Sequence, residues 1–392
     1  MIDVSAAKAK IINHLIALQP LEKPIDKACR HILAEDCYAQ YDIPAFRQSS
    51  MDGYAFQYEA DIQELRLVGE MAAGASNSLS INSGETSRIF TGAPLPIGAD
   101  TVVMQEKISL KNGRVVLNDI SLKPGTNVRE KGAEIKAGAL AMAKGSLLTP
   151  AAIGFLAGIG ITTVSVFPMP KVSIISTGKE LQQPGVPLKF GQVYESNAYS
   201  LKAALQLEGI DQIEVFHADD DLQILISVLE KALLKADVVL LTGGVSVGDY
   251  DFVIGATQRC GVEQHFHKVK QKPGKPLYFG KKGAQLIFGL PGNPSSVLSS
   301  YYNYVLPAVK RLSHLKNSVK EIKAELSHPY QKTTGLTHFL KGIYENGKAT
   351  PLSAQESFRL SSFAHANCLI CLPEEQEIFN AGDAVNILLL PD

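Results

Sequence analysis

The sequence predicts a multidomain α/β protein: a doubly wound α/β domain joined to a β-rich insertion, helical segments and a small C-terminal β-domain. Three observations predict it. Between Lys171 and Leu312, strand-like runs alternate with amphipathic runs whose apolar residues recur every 3–4 positions, the pattern of βαβ units on a mostly parallel sheet. From about Tyr41 to Ile135, short β-like runs are separated by Gly, Asn and Pro turns. Beyond Ser313 short strands return, so a barrel or sandwich closes the chain. At 392 residues the chain exceeds one ordinary domain, and 45% apolar with 20% charged residues is a globular composition.

An amphipathic helix opens the chain, with Ser5 as its N-cap and Ile11, Ile12, Leu15 and Ile16 as its apolar face. In the insertion, Leu65–Val68, Ser87–Phe90, Thr101–Val103 and Arg114–Leu117 read as strands. Helix and strand signals return over 136–170. There Gly145 to Pro170 carries no charge for 26 residues, long enough to span a bilayer. Thr149-Pro150, however, reads as N-cap and first helical residue, and Gly158 and Gly160 as a stop. The expectation is a short buried helix followed by a β-branched strand, Thr162–Phe167, and no membrane span.

In the α/β domain, strand Val172–Ile175 leads to a helix opened by Ser196, with Leu201, Leu205 and Leu207 inside and Gly209 past its end. Ile213–Phe216 is the next strand, and Leu222, Leu225, Ile226, Leu229 and Leu233 mark the next helix. Asp237–Leu241 is a buried strand, another helix follows, and Gln285–Phe288 enters a helix near Ser295–Leu312. Val319–Leu326, Leu336–Tyr344, Asn367–Leu372 and Ala384–Leu389 are the strands of the closing domain.

Charge and cysteine usage narrow the function classes. With 38 Lys+Arg against 39 Asp+Glu, the net charge of −1 excludes a globally basic nucleic-acid binder and an acidic tail. Five scattered cysteines do not make a disulfide framework, and a reducing cytoplasm is the expected compartment. The opening MIDVSAAKAK lacks the basic-then-apolar layout of a signal peptide.

Ligands of a doubly wound sheet sit outside the carboxyl ends of its strands. Three such ends carry unusual loops: Ser176-Thr177-Gly178-Lys179-Glu180, Thr242 to Asp251 (with Gly243, Gly244, Ser246, Gly248 and Asp249), and Gly289 to Ser296. Glycines let backbone N–H groups approach an anion, and the helix behind each loop adds a favourable dipole. In the third loop Asn293 can cap and Pro294 can take the first helical position, leaving amides for a phosphate. Neither a Walker A loop nor a G-x-G-x-x-G fingerprint is present, which counts against ATPase and dinucleotide-dehydrogenase readings. Residues 268–282 hold six lysines and no carboxylate. Pro273, Gly274 and Pro276 fix a turn there, presenting Lys272 and Lys275 on a rigid loop suited to an oxyanion. Acids flank these loops. Asp220 and Asp221 read as exposed N-capping residues, whereas Glu180, Asp219, Asp249 and Asp251 beside an anion call for a cation, and magnesium resolves the conflict.

At these residues the chain resembles the molybdopterin molybdenumtransferases, which insert molybdate into adenylylated molybdopterin, and it is similar to the E-domain of gephyrin. The resemblance runs through Ser50-Met51-Asp52-Gly53-Tyr54-Ala55, Thr91-Gly92-Ala93-Pro94-Leu95-Pro96, and Asn127-Val128-Arg129 with Gly132. It continues through the glycine loops, the Lys-Pro-Gly-Lys-Pro turn, and Gln355, Ser357, Arg359, Leu360, Ser362 and Ala366-Asn367. It implies an extended helical domain of 1–40 with 136–170, a β-rich insertion over 41–135, a molybdopterin-binding α/β domain over 171–312 and a β-barrel over 313–392. It implies a homodimer in which Asp52 reaches the site of the partner, and it names the pterin adenylyltransferase as a candidate partner; neither nucleic acid nor membrane is expected.

On that resemblance Thr91, Glu134, Thr177, Gly178, Gly243, Gly244, Ser246 and the Pro291-Gly292-Asn293-Pro294-Ser295 loop bind substrate. Glu180, Asp219 and Asp251 place magnesium (Mg2+) and the adenylate, with Glu180 and Asp251 as metal ligands. Lys272, Lys275 and Ser362 contact molybdate, with Lys268 close by. Three departures from the family pattern stand out: Lys179 where an Asp is usual, Glu134 for an Asp, and Lys341 for an Arg that contacts molybdate. The rival readings are a non-catalytic pterin-binding scaffold, which these departures allow, and an ATP-dependent adenylyltransferase, against which the insertion and Asp52 argue.

Other signals are read as packing. Cys368 and Cys371 of a C-x-x-C lie on opposite faces of an apolar strand and cannot pair without a turn. Cys29, His31 and Cys37 lack a fourth ligand and are expected on a helix, His265 and His267 at the surface, and Tyr301, Tyr302 and Tyr304 in helix packing or a dimer contact.

Overall fold

The structure, a computed structural model, describes residues 1–244 and 252–391 of the chain. The chain forms two compact units, one of residues 1–21, 30–32 and 166–392, the other of 22–29 and 33–165. The second unit is built on a six-stranded mixed sheet ordered Thr101–Met104, Gly53–Phe56, Glu85–Ile89, Glu64–Met71, Arg114–Leu117 and Ile108–Lys111. Period-two alternation splits its side chains between two faces, Ala55, Ile89 and Val102 on one, Tyr54, Phe56 and Val103 on the other. The four strands expected here all form. The uncharged stretch forms a nine-residue helix, Pro150–Gly158, whose N-cap Thr149 accepts from the Ala152 N–H at 3.2 Å, followed by strand Thr163–Phe167. Among the described residues no helix is long and apolar enough to cross a membrane.

The first unit carries the doubly wound sheet. Its strands are β1 (Val172–Thr177), β2 (Ile213–Ala218), β3 (Val238–Thr242), β4 (Glu263–His267), β5 (Tyr278–Lys282) and β6 (Gln285–Leu290). They lie in the order β2-β1-β3-β6-β5-β4, with β2, β1, β3 and β6 parallel, β5 antiparallel to β6, and β4 antiparallel to β5. Helices α1 (Asn197–Leu207), α2 (Leu222–Leu233) and α3 (Phe252–Arg259) connect them. Ile174, Leu240 and Phe288 pack on the α1 side, and Ile175, Leu241 and Ile287 on the side of α2 and α3. Both faces are buried, so β3 reads as a continuous apolar run.

The helix expected over 295–312 is interrupted. Pro294–Ser300 is α-helical, Tyr301–Val305 is a π turn, and Leu306–Leu312 resumes the α-helix. Pro307 has no N–H to donate back into that turn, which accounts for the wider winding. The C-terminal strands are β7 (Lys320–Leu326), β8 (Thr337–Glu345), β9 (Lys348–Pro351), β10 (Cys368–Leu372) and β11 (Ala384–Leu389). They pair in the cycle β8-β9-β7-β11-β10-β8, so the barrel, rather than a sandwich, is realised. Cys368 is buried in its core and Cys371 half-buried on the opposite face, and apolar surroundings push the thiols up to about 12 and about 11.

Several local expectations are corrected. The first helix is Val4–Asn13, with Asp3 at the N-cap position making no side-chain cap; its carboxylate instead lies 3.0 Å from Lys270 Nζ. Ala7 and Ile11 form the buried face, while Ile12 is exposed one position round the helix and Ile16 lies beyond its end. Leu207 is exposed, because it follows the buried Leu205 by about 200° of helix. Cys29, His31 and Cys37 lie on turns and two-residue strands, and none of the five cysteines is in a disulfide. His265 is packed, not at the surface, with its ring 3.8 Å from that of His14.

Candidate functional site

The order β2-β1-β3 sends the chain to opposite sides of β1, which opens a crevice at the carboxyl ends of β1 and β3. A cavity of about 1360 Å³ occupies that place. The strands run further than their apolar cores, ending in Thr177 and Thr242, and the Thr177 hydroxyl ties the two ends by donating to the Thr242 carbonyl at 3.2 Å. Gly243 then turns with φ +83°, and a Cβ there would sit 2.7 Å from the Thr177 carbonyl oxygen. Gly178 has φ +140°, with the Glu180 carboxylate folded to within 2.7 Å of where its Cβ would be. Only glycine fits either position.

Opposite stands the Gly292-Asn293-Pro294 loop. Pro294 takes the first helical position, as expected, but the Asn293 side chain does not cap. Its Nδ2 donates to Ser357 Oγ at 2.7 Å. The Ser295 N–H donates to the Ser357 carbonyl and the Ser296 N–H to the Asn293 carbonyl, both at 3.0 Å, so these two amides are already engaged rather than left for a phosphate. Asn197, at the start of α1, donates to the Gly292 carbonyl at 2.8 Å and fixes the loop from below.

The lysine run divides into parts with different surroundings. Lys272 and Lys275 are exposed on the cavity wall. The turn between them rests on the buried Gln271, whose Nε2 donates to the Gly274 carbonyl at 2.9 Å and whose Oε1 accepts from the buried Tyr304 hydroxyl. Gly274 has φ +83° and the Lys272–Pro273 peptide is cis. Lys268 is half-buried off the cavity wall, its carbonyl accepting from the Ile2 N–H at 3.1 Å. Lys270 pairs with Asp3 and Glu374, which hold its ammonium above the usual lysine range. Lys281 and Lys282 end β5 beside the amino end of β6, at the opposite end of the strands from the cavity.

Of the acids, Glu180 and Asp220 line the cavity. Asp220 was expected to be a bland exposed residue; Asp221 alone caps α2, accepting from Gln223 and Ile224. Asp219 is exposed beside the cavity, 3.6 Å from His217 Nε2. Ser246, Asp249 and Asp251 lie outside the described residues. Among the described residues no three His, Cys, Asp or Glu side chains gather as a metal site. Magnesium that takes most of its ligands from phosphate oxygens and water needs only one or two carboxylates, and Glu180, which shares the cavity lining with Asp220, Glu195 and Glu356 as well as Lys272 and Lys275, meets that requirement.

The barrel supplies a wall that local pattern did not reveal. Residues 354–358 line the cavity, together with His338 of β8. His338 is 4% exposed, and burial, then the charges of Lys332 and Lys272, push its imidazole down to about 4, so it is neutral at pH 7. Lys341 is buried behind this wall, and Ser362 donates to the Ala354 carbonyl at 2.8 Å; neither lines the cavity.

The second unit contains a separate cluster. Asp52 precedes Gly53, where a Cβ would lie 1.9 Å from the Val103 carbonyl oxygen, so the strand pairing demands glycine. Asp52 Oδ1 accepts from the Thr91 N–H at 2.7 Å and from its hydroxyl at 2.8 Å. Those two bonds, in that order, with the Arg88 charge behind them, hold the carboxyl below the usual aspartate range although it is exposed. Glu134 is exposed, its N–H donating to the Ile43 carbonyl at 2.9 Å.

Three family models match the chain: the MoeA N-terminal region (domain I and II) over residues 2–160, the probable molybdopterin binding domain over 173–311, and the MoeA C-terminal region (domain IV) over 323–390. The molybdopterin molybdenumtransferase of Haemophilus influenzae is 33% identical over 399 residues, spanning 99% of this chain and 98% of its own. The protein of that name from Staphylococcus aureus strain Mu50 is 34% identical over 402 residues, spanning 99% and 95%. The solved structure of a molybdopterin biosynthesis moeA protein from Pyrococcus horikosii superposes with a TM-score of 0.82 at 31% identity, covering 99% of both chains.

Proposed function

This chain belongs to the molybdopterin molybdenumtransferase family of molybdenum cofactor biosynthesis, and from that premise we propose that it inserts molybdate into an adenylylated molybdopterin, releasing AMP, with magnesium at the phosphates. The observation that carries the reading is the cavity itself: two lysines on a rigid turn share it with glycine loops and acidic residues, Glu180 among them, at the switch point of the sheet.

The substrate is a phosphoanhydride, and its cleavage by water leaves AMP and a pterin phosphate. That step needs the charge on both phosphates offset and a proton removed from the attacking water. The Gly178 and Gly243–Gly244 loops hold the phosphates, with Thr177 fixing their spacing, and the 291–295 loop, whose Ser295 amide is engaged, forms the wall against the pterin. Glu180 and Asp251 would hold magnesium, which when bound neutralises phosphate charge. Molybdate is a tetrahedral dianion, for which the Lys272 and Lys275 ammoniums are charge-matched donors. The dithiolene sulfurs that replace oxide on molybdenum come from the pterin, so no protein thiol is required. Asp52, kept ionised by Thr91, is the carboxylate able to take a proton; the active form is a homodimer in which Asp52 of the partner subunit completes each site. The compartment is the cytoplasm.

Purified protein given adenylylated molybdopterin, molybdate and magnesium should release AMP and yield cofactor that activates a molybdenum-free apo-enzyme. AMP release that does not respond to molybdate, or none at all, removes the reading.

A further inference from the structure

Behind the barrel's wall of the cavity sits a cation that makes no ion pair among the described residues, the Glu356 carboxylate acting on it only through its charge. Lys341, in β8, is 2% exposed. Its Nζ donates to the carbonyls of Ala354 at 2.8 Å, Arg359 at 3.0 Å and Glu356 at 3.4 Å. An ammonium has three N–H bonds, so this one has none left for a ligand. The same residue is tied through its main chain. Gln355 Oε1 accepts from the Lys341 N–H at 3.0 Å, and Gln355 Nε2 donates to the Lys341 and Leu352 carbonyls at 2.8 Å each. A buried charge persists only where its hydrogen bonds are satisfied, and here the main chain of one segment satisfies all of them.

That segment reaches further than its own domain. Ala354 has φ +59°, a strained conformation for a residue with a Cβ, and its carbonyl is held by both Lys341 and Ser362. Three residues on, Ser357 accepts from Asn293 Nδ2 through its hydroxyl and from the Ser295 N–H through its carbonyl. The ammonium is thus one step from the 354–358 wall and two steps from the loop opposite.

We infer that Lys341 is a positioning residue: its buried ammonium fixes the 354–359 segment and, through Ser357, the 292–296 loop, shaping the anion cavity without touching the anion. The role rests on the reading of this cavity as the molybdate and pterin-phosphate site. It differs from the direct contact with molybdate that the family's arginine at this position implies.

The test uses the full chain with Lys341→Met and Lys341→Arg, molybdate as probe in calorimetry, and hydrogen exchange of the two segments. Lys341→Met should speed exchange in both 354–359 and 292–296 and weaken molybdate binding roughly 10–100-fold, the usual cost of removing a residue that orients a ligand's partners. Lys341→Arg keeps several donors for the carbonyls and should restore both readouts. Weaker binding with unchanged exchange would mean that Lys341 meets the anion directly, overturning the inference; faster exchange with unchanged binding would show that the segment does not shape the site. Should Lys341→Met fail to fold, Ser357→Ala removes the side-chain half of the link, the Asn293 bond, while the Ser295 N–H keeps the Ser357 carbonyl, and it must by itself loosen 292–296 in part and weaken binding. Absence of molybdate binding by the unmodified protein would instead remove the proposed function, and the exchange comparison would still decide whether Lys341 holds the two segments.

Discussion

The cavity at the sheet edge and the Asp52 corner of the insertion are built by opposite means. In the cavity, exposed cations stand on buried supports: Gln271 and Tyr304 under the lysine turn, the Thr177–Thr242 bond under the glycine loops, Lys341 behind the barrel wall. At Asp52 the functional group and the two donors that bond it among the described residues are all at the surface, and both donors belong to Thr91. The first arrangement fixes where an anion sits. The second fixes little but a charge state. Substitutions should therefore separate along that line, with cavity residues governing affinity and Asp52 governing rate.

The sharpest test is Asp52→Asn. The amide oxygen still accepts from Thr91, so the corner keeps its shape, and the melting temperature should fall only slightly, by the small stabilisation the exposed ionised carboxylate adds. Turnover of adenylylated molybdopterin should fall by about 10²–10⁴, the usual worth of a positioned proton acceptor, with the KM for molybdate unaltered. A rise in KM at constant kcat would break the contrast, since Asp52 would then be acting in binding.

Lys272→Met should do the reverse. The side chain is exposed, so stability is unchanged, while loss of one charge-assisted hydrogen bond worth about 1.5–3 kcal/mol weakens molybdate binding roughly 10–100-fold. Lys281→Met, at the far end of the strands of the same sheet, is the matched control and should leave molybdate affinity where it was. If both substitutions weaken binding equally, general positive charge and not the turn attracts the anion.

What could be read in the sequence divides along similar lines. Periodicity exposed the parallel strands and α2, because Leu225 and Leu229 repeat at helical spacing and β3 is apolar throughout. Turn chemistry exposed the Lys272–Lys275 loop, since Pro and Gly constrain the backbone locally. Local pattern could not separate Lys272 from Lys281. They are nine residues apart in one basic run, and only the antiparallel pairing of β5 with β6 carries Lys281 to the other end of the strands. Nor could it find His338, whose site depends on the barrel strand β8 lying beside Gln271–Lys272. Lys341 misled for the same reason: its type and position matched an anion contact, whereas three main-chain carbonyls, distant by 13 to 18 residues, consume its protons.

The smallest effect belongs to Thr91→Val, and it bears directly on the claim that Asp52 is governed by charge state. The folded pKa of Asp52 is depressed first by the Thr91 N–H, then by its hydroxyl, with Arg88 adding attraction. A depressed carboxylate contributes stability that is present above its unfolded pKa and lost as pH falls through the folded one. The acid limb of turnover should accordingly lie below the usual carboxylate range. Valine removes the hydroxyl and keeps the N–H, so the limb should move up only part of the way. At neutral pH the rate should barely change, because Asp52 is ionised in both proteins. Carbon-13 titration of the carboxyl beside the pH profile of kcat makes the comparison complete. If the carboxyl titration shifts while the acid limb of kcat stays fixed, some other group sets the rate, and the Asp52 corner loses its place in the chemistry.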